Sequence, residues 1–151
     1  MQVKVEDIKS LREQTGAGIA DCREALEETK GNLEKAKEVL RKKGLTKATS
    51  KSDREVKAGL VETYSHAGRM GVLVELLCET DFVAKLDDFK TLAHEIALQI
   101  SAMNPKDAEE LLEQQYIRDS SQTIDTLIKS TIAKLGENIQ IGQFARIELG
   151  K

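Results

Sequence analysis

A chain of 151 residues has room for one ordinary domain, or for a core domain with a small helical module beside it. Its 40% hydrophobic and 32% charged residues describe a soluble globular protein somewhat rich in charge. A formal charge of -3, 3% aromatic residues and no tryptophan leave neither a net field nor stacking platforms for RNA or DNA, so no direct nucleic-acid contact is expected.

The N-terminal stretch MQVKVEDIKSL lacks the basic-then-apolar layout of a signal peptide, and no apolar run approaches the roughly 18 to 20 residues that span a bilayer. A cytoplasmic setting of bacterial type, or an organelle matrix, is expected, with no membrane partner. Cys22 and Cys78 belong to no CxxC or Cys/His cluster and read as buried, reduced thiols.

The first 44 residues read as three short helices. Val5, Ile8 and Leu11 repeat at helical spacing before Thr15-Gly16-Ala17-Gly18 breaks the pattern, and Ile19, Cys22, Ala25 and Leu26 form a second stripe closed by Gly31. Asn32 is a suitable N-cap for a third helix, with Leu33, Ala36, Val39 and Leu40 inward and Gly44 past its end. A dozen small apolar side chains make a marginal core, which suits a recognition module better than a scaffold for chemistry.

From Arg41 to Lys57 the chain carries seven Lys/Arg against two acids, and residues 45–57 are the expected linker. That charge run fits a solvated segment, or a contact with RNA or an acidic partner. Residues 58–151 follow as a core. Leu60 to His66 and Val72 to Glu79 alternate as two strands around the Ala67–Gly71 turn, with Val72, Val74, Leu76 and Cys78 on one side. The second strand is apolar on much of both faces, as a central strand is.

Phe89, Leu92, Ala93, Ile96, Ala97, Ile100 and Met103 predict an amphipathic helix ended by Asn104-Pro105. A short acidic helix in KDAEELLEQQ follows, then one from Ile124 to Leu135 stopped at Gly136. The last strand sets Ile139, Ile141, Ala145, Ile147 and Leu149 against Gln140, Gly142, Arg146 and Glu148. The fold class is α+β: a three-helix N-terminal domain, then a three-stranded antiparallel sheet with helices on one face.

No enzyme signature emerges. His94-Glu95 begins like HExxH, but Leu98 stands where the second histidine belongs, and Gly16-Ala17-Gly18 follows no strand. His66 reads as a structural strand or turn histidine. No Walker A motif, GxSxG or Ser/His/Asp set is present, so no metal, cofactor or catalytic residue is expected.

The stretch CETDFVAK is the most distinctive. Thr80 can cap a helix whose first turn holds Asp81. Phe82, Leu86, Phe89 and Ala93 lie at helical spacing, so periodicity makes Phe82 the first rung of the core stripe. Alternatively Asp87-Asp88 starts a new helix and leaves Phe82 projecting, an aromatic beside an acid as in a binding hot spot.

LREQTGAGIADCREALEETKGNLEKAKEVLRKKG (Leu11–Gly44), LVELLCETDFVAK (Leu73–Lys85) and KLGENI (Lys134–Ile139) closely resemble the elongation factor Ts family, and the likeness runs in the family's order from about residue 5 to 149. The resemblance implies a ubiquitin-associated-like domain over residues 1–44, the basic linker over 45–57 and a dimerisation-type α+β core over 58–151. It implies a guanine nucleotide exchange factor for elongation factor Tu, engaging that GTPase both GDP-bound and nucleotide-free. Thr80, Asp81, Phe82 and Val83 would form a wedge in its nucleotide-binding domain, with Asp81-Phe82 entering between two helices, disturbing magnesium and releasing GDP. Leu11, Arg12, Gly18, Ile19 and Ala20 would grip another helix of that domain. No covalent chemistry is needed.

The chain departs from the family pattern in three respects. It holds one TDFV-bearing core with a very short segment between Met103 and Ile117, as in compact members that pair as homodimers. Ile19-Ala20 stand where bulkier methionines are common, and Gly142-Gln143 where two basic residues often follow. The contrasting function is a non-catalytic adaptor, whose helical module binds a ubiquitin-like or ribosome-associated partner while the core dimerises. A third is RNA binding through the basic linker.

Overall fold

Three helices open the chain in the computed structural model, which describes residues 2–151. α1 (Val5–Thr15) stops where Gly16 adopts the left-handed conformation (φ 72°), and α2 (Ile19–Glu28) starts three residues later. α3 (Leu33–Ser50) is capped by the Asn32 side chain, which accepts the Lys35 amide at 3.0 Å. Leu11, Cys22, Ala25, Leu26, Ala36 and Leu40 make a separate small core. Ile19, expected in the inward stripe, is instead 58% exposed.

The third helix does not end at Gly44. It continues through Ser50, so the expected linker is helical over its first six residues and irregular only beyond them. The cause is a docking contact. Ala48 is buried in the larger core, and a Cβ on Gly44 would lie 3.2 Å from Cβ of Ala133. Gly44 lets α3 approach another helix closely instead of terminating its own. One helix thus belongs to both cores.

The larger core rests on a three-stranded antiparallel sheet of order β1-β2-β5, formed by β1 (Ala58–His66), β2 (Met70–Cys78) and β5 (Ile139–Glu148). β2 is central, as its two apolar faces foretold. Val72, Val74, Leu76 and Cys78 are buried under α5 (Asp87–Met103), whose Phe89, Leu92, Ala93, Ile96, Ala97 and Ile100 face them. α7 (Ile124–Leu135) adds Ile124, Ile128 and Ile132, and ends at Gly136 in the left-handed conformation.

Two features differ from the expected pattern. β5 does not keep one alternation, because a bulge sets Gly142 and Gln143 opposite the single residue Glu75. Beyond it Phe144 and Arg146 turn inward, while Ile147 and Leu149 face solvent. A second small sheet also appears, β3 (Gln115–Tyr116) with β4 (Asp119–Thr123), after the six-residue α6 (Ala108–Glu113). The buried Gln99 on α5 anchors it, donating to the Gln115 carbonyl at 3.0 Å and accepting the Ile117 amide at 3.0 Å.

Candidate partner-binding surface

At the end of β2 the chain turns outward. Thr80 is extended (φ -131°, ψ 154°), and its hydroxyl accepts the Val83 amide at 3.4 Å, capping the single-turn helix α4 (Asp81–Ala84). Val83 and Ala84 are buried in the main core. Successive helical residues are turned by about 100°, so with those two inward, Asp81 and Phe82 must face out. Phe82 is 75% exposed, and Thr80 and Asp81 are exposed beside it.

Leu86 then adopts an extended ψ of 142°, and α5 begins at Asp87. That break uncouples Phe82 from the stripe it matched in sequence. Phe89 is fully buried where Phe82 projects. Asp87 and Asp88 occupy the first turn of α5, where carboxylates complement the helix dipole.

The second expected contact surface lies on the N-terminal helices. Arg12, Gly18, Ile19 and Ala20 are exposed around the α1–α2 corner. Leu11 is fully buried beneath them, so it shapes this face from inside without reaching its surface. Val83 has the same interior position under the turn. The corner is braced by the Thr15 hydroxyl, which donates to the Leu11 carbonyl at 2.7 Å and accepts the Ala17 amide at 3.3 Å.

Asp21 ties α2 to α3. It lies 2.9 Å from Nζ of Lys43 and 3.0 Å from Nζ of Lys47, and these hydrogen bonds, that to Lys43 foremost, lower its carboxyl pKa. A cleft of about 390 Å³ lies between this corner and α7, lined among others by Gly16, Lys43, Lys47, Ala133 and Lys134. Each of these cations has an acidic partner: Lys43 also meets Glu24, and Lys134 lies 3.2 Å from Asp88. The cleft therefore offers an anion little uncompensated charge. The stem of Lys134 packs against Gly16, with Cγ and Cε each 3.3 Å from the position of a Cβ there. One residue thus touches both the helical corner and the start of α5.

Little else gathers into a chemical site. Among the described residues, no three His, Cys, Asp or Glu side chains converge to hold a metal ion. Both cysteines are free and buried, and burial raises both thiol pKa values. Tyr64 donates or accepts at His66 Nδ1 over 3.1 Å, an exposed pair at the far end of β1. No described helix is long and apolar enough to cross a membrane.

Two groups of residues escaped the reading of the sequence. Val61, Leu73, Ile147 and Leu149 are exposed on the sheet face that no helix covers. The alternation in β1 and β2 could have found the first two, but the bulge hid the others. Glu137 and Asn138 lie within KLGENI, and both bond to the segments that carry the turn.

Comparison with known proteins agrees with this architecture. A family model described as elongation factor TS matches residues 79–151. The chain is 44% identical to elongation factor Ts of Coprothermobacter proteolyticus, with all of both chains covered. It is 41% identical to that of Fervidobacterium nodosum, again with full coverage of both. Against elongation factor Ts of Thermotoga neapolitana it is 41% identical, covering all of this chain and 99% of the relative. The first two alignments run over 197 positions against 151 residues here, so at least 46 positions face a gap in this chain. On likeness this strong along its whole length, the chain belongs to the elongation factor Ts family, among the elongation factors of protein biosynthesis.

Proposed function

We propose that this chain is the guanine nucleotide exchange factor of elongation factor Tu and that Asp81-Phe82 is its working tip. The observation that carries the proposal is the exposure of Phe82, 75%, on a turn whose next two residues are locked into the core. A large aromatic held rigidly in water is poised to gain roughly 1.5–3 kcal/mol on burial in a partner, with little entropy left to lose. Asp81 must find a donor there to offset its desolvation.

The tip enters between two helices of the nucleotide-binding domain and disturbs the elements that hold magnesium, and GDP loses affinity. By linkage, whatever factor the protein takes from GDP binding, GDP takes from its own. The empty GTPase is then its tightest partner, and rebinding of GTP releases it. Arg12, Gly18, Ile19 and Ala20 form the second grip, with Leu11 as its internal support. Val83 and the Thr80 cap mount the tip. No covalent step, metal or cofactor is required of this chain.

Two copies pair in this proposal. The open sheet face carries Val61, Leu73, Ile147 and Leu149, each more than half exposed, and a second copy of the same face would cover them. Sedimentation should then give a dimer at micromolar concentration that Ile147→Asp converts to monomer. A wild-type monomer at every concentration excludes such pairing.

The exchange role is tested by release of fluorescent GDP from elongation factor Tu. The protein should accelerate it, and Phe82→Ala should abolish most of the acceleration while changing unfolding free energy by no more than about 1 kcal/mol. Unchanged acceleration by the variant rejects the tip. An isolated helical module that binds a ubiquitin-like partner, with no effect of the whole chain on GDP, favours the adaptor.

A further inference from the structure

We infer that the corner following α7 is a clamp that aims the Thr80–Phe82 turn, with Glu137 as its principal positioning residue. The inference rests on the tip proposed above and adds a residue to which no role has been assigned. Gly136 turns the chain at the end of α7 with φ 80°, and the next side chain reaches across to the end of β2. Oε1 of Glu137 accepts the amides of Glu79 at 3.1 Å and Thr80 at 2.9 Å. Its Oε2 accepts the Thr80 hydroxyl at 2.7 Å.

The two segments are also crossed in the other direction. Oε1 of Glu79 accepts the Asn138 amide at 2.8 Å. Asn138 is itself buried, and its Nδ2 donates to the carbonyls of Arg54 at 2.8 Å and Ser52 at 3.3 Å. The corner is therefore fixed to the segment joining α3 to β1 before it holds anything else. It has a firm base.

Polarity makes Glu137 more than a brace. A carboxylate only accepts hydrogen bonds, and a hydroxyl has one proton to give. By taking that proton, Oε2 fixes the Thr80 rotor with its lone pairs toward the Val83 amide, the bond that caps α4. The same carboxylate holds the backbone of the two residues immediately before Asp81. Charge-assisted bonds of this kind are roughly twice as strong as neutral ones. Glu137 thus controls where the one-turn helix starts and in which direction Asp81 and Phe82 leave the core.

Variants of Glu137 separate aiming from mere stability. In Glu137→Ala, hydrogen exchange at the amides of Thr80 and Val83 should rise while the amides of α5 keep their protection. Maximal acceleration of GDP release should fall by about tenfold or more, as expected on losing charge-assisted hydrogen bonds. The half-saturating concentration should stay within about twofold, because the helical grip remains. Adding Glu137→Ala to Phe82→Ala should bring no further loss, since a clamp without a tip has nothing to aim.

Glu137→Gln keeps one acceptor for the two amides but presents an N–H group to Thr80, and should fall between wild type and alanine. It also decides the question by the same criteria if the alanine variant fails to fold. Full maximal acceleration in both variants, or additive losses with Phe82→Ala, overturns the clamp. Should the wild-type protein not accelerate GDP release at all, the exchange role falls instead. The amide-exchange comparison then judges the clamp alone: unchanged protection at Thr80 and Val83 rejects it.

Discussion

Phe82 and Phe89 are seven residues apart, the same amino acid, and opposite in what they do. Phe89 is fully buried among α5, β1 and β2, so Phe89→Ala should destabilise by about 3–5 kcal/mol, read from denaturant unfolding. The small change expected of Phe82→Ala sharpens the contrast, because one aromatic holds the fold and the other projects from it. Asp21 is the residue-scale case for pH. Lys43 and then Lys47 lower its pKa below the ordinary 3.8, so its folded form favours the carboxylate. Its stabilising contribution is therefore present above pH 3.8 and lost as pH falls through the lowered value. Asp21→Asn should remove that part of the acid dependence, so the wild-type and variant stability curves converge once the pH has fallen below the lowered pKa. The pair is partly exposed and screened, which keeps the effect small.

Among the elements, β1 and β2 share the least forgiving contact. Gly59 has φ 150°, and a Cβ there would lie 2.1 Å from the Leu76 carbonyl oxygen. Backbone cannot swing aside as a side chain can, so Gly59→Ala should cost about 3 kcal/mol by strain and overpacking, measured as a lowered urea midpoint. Much at this scale was legible in the sequence. The core helix ending at Asn104, α7 from Ile124 to Leu135 and the first hairpin follow from period, cap and turn chemistry. What was not legible depends on distant neighbours. The bulge in β5 forms where Glu75 reaches over Gly142, with Oε1 2.0 Å from the position of a Cβ there, and no local pattern announces it. The length of α3 depends on Ala133, and β3 depends on Gln99. Phe82 is the instructive case: helical spacing placed it in the core, and the extended Leu86 broke the helix that spacing assumed.

For the whole molecule, the decisive relation is between the helical corner and the tip. α3 belongs to both cores, Gly44 lies against Ala133, and Lys134 bridges Gly16 and Asp88. The two proposed contact surfaces are therefore held at one separation, without a slack linker between them. Helix separation follows the side chains at the contact and varies by roughly 2 Å. Gly44→Leu should push α3 from α7 by about that amount and lower stability by about 1–3 kcal/mol. Spin labels at residues 20 and 85 would record a longer, broader distance distribution. An unchanged distribution would mean that α3 and α7 do not set the spacing.

The bond between Glu137 and the Thr80 amide joins residues 57 apart in sequence. The β1–β2 hairpin closes locally and can form early, whereas this bond must await α7 and the start of β5. During synthesis at about 5–20 residues per second, Phe82 is made roughly 3 to 11 seconds before the carboxylate that aims it. A nascent chain stopped short of residue 137 carries the aromatic and its hairpin but not the capped turn in its working direction. Competence therefore waits for Glu137 and not for Phe82, and a growing chain presents the aromatic before it can aim it.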